Sequence, residues 1–173
     1  GIDLCTSVEV HVLCLFYSLD GAMDFDAYVQ KHLPKIPNNE DIFGRQTICS
    51  HTDEILGSYP YLLINATDIS FDNVYDLTKS FGGIMIPAHI DKNSTSLLSN
   101  LGFIPPDSRF TCVEVKDMDR LPQLKANNPY LSKCRVIPDS DAHYLEHTHE
   151  AVPRIHCDIP SPKAIFRSLT DSS

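Results

Sequence analysis

Asp141 and His143, in the stretch Ile-Pro-Asp-Ser-Asp-Ala-His-Tyr (137–144), are residue types that bind divalent metal ions, and their spacing suits that chemistry. In extended backbone, residues two apart project to the same side, so a carboxylate oxygen and an imidazole nitrogen can hold one ion from a single element. Two further stretches carry a histidine in or beside an apolar segment: Ile-Pro-Ala-His-Ile-Asp (86–91) and Glu-Val-His-Val-Leu (9–13). Taken alone, His11 lies inside an apolar run and reads as a hydrogen-bonded core histidine. Asp3 reads as a solvated carboxylate, and His32, His51 and His156 as surface residues. His147 and His149 follow His143 closely, and a polar helix start accounts for them.

The elements that must position these groups follow from periodicity and turn residues. Val8 to Tyr17 reads as a buried strand, and Gly21 to Leu33 carries Met23, Ala27, Tyr28 and Leu33 at helical spacing. Pro34 to Gly44 reads as a loop, and Thr47 to Ser58 as a hairpin about His51-Thr-Asp-Glu. Ser70 is placed to cap a helix that runs to about Phe81 and stops at Gly82-Gly83. Ile84 to Pro87 reads as a strand closed by His89, then Ser94 to Leu101 as a short helix. Cys112 to Val115 is a strand, Asp117 to Ala126 a helix, Arg135 to Ile137 a strand, and Ser161-Pro162 opens a last helix. This order of strand then helix predicts a parallel sheet or barrel, in which ligands gather at the carboxyl ends of the strands. His89 and the Asp141/His143 pair occupy such ends.

Composition narrows the function classes. The chain has 173 residues, 42% of them hydrophobic and 21% charged, enough for one domain, 1–173, with a sizeable core. Its formal charge of -9, from 14 Lys and Arg against 23 Asp and Glu, disfavours nucleic acid as a partner, and no basic cluster offsets it. Bound cations can neutralise acidic groups locally, so this charge is compatible with a metal site that handles phosphate esters. Cys5, Cys14, Cys49, Cys112, Cys134 and Cys157 show no metal-ribbon or disulfide-scaffold spacing. They read as reduced thiols in a cytoplasmic protein. No run approaches the roughly 20 apolar residues of a membrane span.

Four blocks resemble one known family: Glu-Val-His-Val-Leu-Cys-Leu-Phe (9–16), Ile-Pro-Ala-His-Ile-Asp-Lys (86–92), Leu-Gly-Phe-Ile-Pro-Pro (101–106) and Ser-Asp-Ala-His-Tyr-Leu-Glu (140–146). Together, and in this order, they look like the polymerase and histidinol phosphatase (PHP) family, a resemblance that runs through nearly the whole chain. It implies an α/β fold of the distorted (β/α)7 type, a TIM-like barrel, carrying two or three divalent ions, commonly zinc, manganese or iron. It implies that His11, His89, Asp141 and His143 are metal ligands, which reverses the reading of His11 as a core residue. Gly1-Ile2-Asp3 aligns with the family's Gly-x-Glu, so Asp3 is the implied bridging carboxylate, one methylene shorter.

The resemblance also implies an activity, hydrolysis of a phosphate ester. Two ions would lower the pKa of a shared water, and the metal-bound hydroxide would attack the phosphorus, so no side-chain nucleophile is assigned. Read from its own position three residues past His89, Lys92 is a candidate contact for the substrate phosphate, the alternative being a solvated lysine after a strand. The substrate would be a phosphorylated small molecule or nucleotide. The family's early His-x-His and Thr-Asp-His ligand segments have no counterpart here, so the expected barrel lacks its first strands. A fragment of this kind would be weakly active, and it would tend to self-associate or to pair with a missing N-terminal segment. The alternative is a non-catalytic PHP remnant that binds metal or a partner.

Overall fold

The computed structural model describes residues 1–148, 159 and 161–170. Its centre is a three-stranded antiparallel sheet in the order β1 (Ile2–Cys5), β2 (His11–Phe16) and β5 (Gly83–Pro87). Two more strands, β6 (Cys112–Val115) and β7 (Arg135–Pro138), form a parallel pair, and β6 lies alongside β5. The hairpin β3 (Thr47–Cys49) and β4 (Ile55–Ser58) stands apart with both strands exposed.

Among the described residues the strands close no barrel, which corrects the (β/α)7 expectation. The reason lies at the first connection. Residues 6–10 turn back on themselves through Thr6 N–H to Val10 C=O and Glu9 N–H to Thr6 C=O, with Glu9 at a positive φ of 57°. A connection this short can only join antiparallel strands, because a parallel crossover needs about a dozen residues. Ile2–Cys5 is therefore a strand in register with β2, pairing Asp3 with Leu13 and Cys5 with His11. Its four residues of mixed polarity carry no strand signal in the sequence. Among the described residues only β6 and β7, joined through a helix, keep the parallel arrangement expected throughout.

The helices conform more closely. Ser18 caps α1 (Leu19–His32) by accepting from Gly21 N–H. Helix α3 (Phe71–Ser80) starts after Ser70, although the Ser70 side chain makes no capping bond. The stretch read as a loop over 34–44 contains a short helix, α2 (Glu40–Phe43), because Asn39 accepts from Asp41 N–H. The next helix is shorter than expected: α4 (Leu97–Asn100) begins where Ser96 and Ser99 form a reciprocal capping box. Asp117 caps a single 3₁₀ turn, Met118–Arg120, that leads into α5 (Leu121–Asn127). Ser161 Oγ accepts from Ala164 N–H at the start of α6 (Pro162–Thr170).

Side-chain alternation divides the strands into two faces. Val12, Cys14, Met85, Val113 and Val115 point into the main core with Phe25 of α1 and Val74 of α3. The intervening residues Leu13, Leu15, Ile84, Ile86, Cys112 and Ile137 meet Leu169 of α6 in a smaller cluster on the other face. No helix among the described residues is long and apolar enough to cross a membrane. The five described cysteines are free thiols, and Cys157, His149 and His156 lie outside the described residues.

Candidate functional site

Period-two alternation places Asp3, Cys5, His11 and Glu114 on the same sheet face as the small apolar cluster. That face is apolar around Leu13 and Ile86, and polar toward Asp3, Cys5 and His11. His11 opens β2, where its N–H donates to Thr95 C=O and its C=O accepts from Ala88 N–H, so its backbone is fixed from both sides. Its side chain is 24% exposed and its Nδ1 lies 3.5 Å from Asp3 Oδ2. Asp3, with Cys5 next, pushes the His11 pKa up to about 9. The core-histidine reading of His11 therefore gives way to a half-buried imidazole paired with a carboxylate.

His89 follows β5 directly and takes a left-handed φ of 31°, unusual for a histidine. It is 4% exposed, and its Nδ1 is buried without a hydrogen-bond partner. Buried polar atoms are almost always satisfied, so an unpartnered nitrogen calls for a partner such as an ion or a water. The His89 ring stands 5.3 Å from that of His11, centroid to centroid. Burial, then the charge of Lys92, hold its pKa below the usual histidine range.

Asp141 and His143 lie beyond the end of β7 in a loop, with Asp141 at a positive φ of 46°. The extended backbone expected for this pair is thus absent. The two side chains nevertheless meet, His143 Nε2 lying 3.6 Å from Asp141 Oδ1. Asp141 is 13% exposed and His143 75%. The other Asp141 oxygen, Oδ2, lies 2.7 Å from Lys92 Nζ and 3.3 Å from Lys116 Nζ. Burial opposes ionisation of Asp141, and the hydrogen bonds from the two lysines outweigh it, holding its carboxyl below the usual range.

Asp3, His11, His89, Asp141 and His143 thus form a continuous line of contacts and neighbouring charges, drawn from segments far apart in the chain. The other described histidines stay out of it. His32 pairs with Asp68 at 2.6 Å, His51 sits in the exposed turn after β3, and His147 packs edge-on against Tyr144.

Three participants were not anticipated. Cys5 lies across from His11 and adds to the rise of its pKa; its signal is the two-residue spacing from Asp3. Lys116 follows strand β6 as His89 follows β5. Glu114 is a lone carboxyl in the strand Cys-Val-Glu-Val. Burial, followed by the fields of Asp139 and Asp3, pushes it up to about 7, with the His89 backbone opposing the rise.

The donor types and the unpartnered His89 nitrogen fit a divalent ion. Among the described residues, though, no three His, Cys, Asp or Glu side chains are grouped as a metal-holding set. Comparison of the chain with family models, with curated proteins and with solved structures finds no match.

Proposed function

We propose that the chain carries a metal-dependent phosphoesterase site of the polymerase and histidinol phosphatase type, acting on a phosphorylated small molecule or nucleotide. One observation carries this reading: the five residues implied as ligands succeed one another as pairwise neighbours, Asp3 with His11, His11 with His89 and Asp141 with His143, beside a buried imidazole nitrogen that has no partner. His11, His89 and His143 would supply nitrogen, and Asp3 and Asp141 oxygen, to zinc, manganese or iron. The bound ions would lower the pKa of water and neutralise charge on the phosphoryl oxygens.

The chain's own groups have separate tasks. Asp3 faces His11 Nδ1 and so leaves Nε2 of the same ring for coordination. His89, held neutral by burial, needs to lose no proton before it binds. Lys92 contributes an ammonium to the substrate phosphate. A cytoplasmic setting belongs to the same proposal and is supported by the free cysteines.

The test is titration of chelator-stripped protein with manganese and with zinc, followed by assay on p-nitrophenyl phosphate. Binding that is lost in His89→Ala, with turnover abolished by His143→Ala, supports the proposal; no binding overturns it. A second reading, a metal-binding module without catalysis, is favoured by the lysines on Asp141 and by the ungrouped donors. It predicts ion binding with no turnover.

A further inference from the structure

Lys92 and Lys116 come from different segments, and the fold brings them together by a dedicated link. Asp91, 7% exposed, accepts from Lys116 N–H at 2.8 Å through Oδ1 and from Asp117 N–H at 2.9 Å through Oδ2. Arg120 Nη1 donates to Asp91 C=O at 3.0 Å, and Ile90 N–H to Glu114 C=O at 2.9 Å. The chain after His89 is therefore bolted to the exit of β6, which sets the two lysines side by side. Both ammoniums then fall on one oxygen, Asp141 Oδ2. In a chain of charge -9 that is rich in carboxylates, two cations brought to one point form a local anion site.

We propose that Lys92 and Lys116 form a two-ammonium site for a phosphate dianion, and that Asp141 occupies it as an internal counter-ion until a cation takes that carboxylate. The proposal rests on the metal-dependent reading for the identity of the cation, and the ammonium pair itself stands on the geometry around Asp91 and Asp141. One carboxylate oxygen cannot serve two ammoniums and a divalent ion equally well. A metal that binds Asp141 releases the lysines to the phosphate, and by linkage phosphate strengthens metal binding by the same factor. Lys116 thereby becomes a substrate-binding residue, and the lysine pair couples loading of the metal to capture of the substrate.

The experiment uses the full chain with inorganic phosphate and phenyl phosphate as probes, both carrying the dianionic group, and with Mn²⁺ as the cation. Affinities are measured by calorimetry for the anions and from the free-ion electron spin resonance signal for Mn²⁺. In the wild type, Mn²⁺ is expected to tighten phosphate binding at least fivefold, the low end of ordinary coupling between sites. In K92M/K116M that coupling disappears, while Mn²⁺ alone binds at least as tightly as before. D141N, and D141S should the first variant fold poorly, removes the counter-ion and is expected to bind phosphate tenfold tighter without any metal. Adding K92M/K116M to that variant abolishes the gain.

The ammonium site is overturned if the Asp141 variants bind phosphate no better than the wild type, or if coupling survives in K92M/K116M. Wild-type protein that refuses Mn²⁺ removes the metal-dependent reading and leaves the Asp141 variants to judge the lysine pair.

Discussion

The rings of His11 and His89 stand 5.3 Å apart, yet their surroundings drive their protonation in opposite directions. Asp3 and Cys5 push His11 up to about 9, whereas burial and Lys92 hold His89 below the usual range. Between pH 6.5 and about 9 the pair carries one positive charge, on His11. Proton-detected NMR of the two rings is expected to give a His11 midpoint near 9 and a His89 midpoint below 6.5. Two midpoints near 6.5 would show that neither environment acts as described. The His11 pairing adds stability that is full below about pH 6.5 and is lost as the pH rises through about 9. His89 acts in the other direction: its contribution is full above 6.5 and declines as the pH falls toward its lowered folded value.

How much of this was legible follows from what each residue's neighbours are. His89, Asp141 and His143 could be found because each follows an apolar strand, and the strands β5 and β7 were read correctly. His11 could not be separated from a core histidine by its own surroundings, since the partner that distinguishes it, Asp3, lies on a strand that the sequence shows as four residues of mixed polarity. The same omission bears on the barrel expectation, which the family resemblance implies and the order of strand and helix favours. With β1 unrecognised, the order of strand and helix suggested parallel pairing, whereas the hairpin at residues 6–10 fixes the sheet as antiparallel. Lys116 and Glu114 were hidden for another reason. Their importance comes from Asp91 and Asp139, contacts that are distant or not periodic in sequence.

Metal binding at His11 must expel a proton whenever the pH lies below about 9. Apparent Mn²⁺ affinity is therefore expected to rise with pH, by up to about tenfold per unit, across the range from 6.5 to 9. Calorimetry in buffers of different ionisation enthalpy should detect release of about one proton per ion at pH 7.5. Asp3→Asn removes the principal cause of the raised value, so the proton release should shrink at the same pH. Unchanged proton release in that variant would place the titrating group elsewhere.

Glu114 carries a cost to stability that depends on pH. Its folded pKa of about 7 lies above the ordinary 4.5, so the folded state holds the proton more tightly than the unfolded chain. Stability is undiminished below about pH 4.5 and falls as the pH rises to about 7, beyond which the ionised carboxylate pays its full burial penalty. Glu114→Gln keeps the size and shape of the side chain and removes the charge. It is expected to raise Tm by roughly 4–8 °C at pH 8, equivalent to about 2 kcal/mol, and to change it little at pH 4.5. Thermal unfolding at the two pH values measures this, and an equal shift at both would indicate a packing effect instead.

His143 separates the function of the site from its stability. Its side chain is 75% exposed and touches the rest of the site only through Asp141 Oδ1 at 3.6 Å. A contact of this length from a side chain that is three-quarters exposed contributes little to folding, because water solvates the imidazole almost as well without it. Removing the imidazole therefore leaves the metal-free fold close to unchanged, with Tm within roughly 2 °C of the wild type. Asp141 retains Lys92 and Lys116, so no buried charge is left unpaired. In the presence of saturating Mn²⁺ the wild type should gain Tm by mass action, and the gain should be smaller in His143→Ala by the factor in affinity that one nitrogen donor supplies. A variant that loses stability without metal would assign His143 a role in folding. One that keeps the full metal-induced gain would remove it from the ligand set and leave Asp3, His11, His89 and Asp141 to hold the ion.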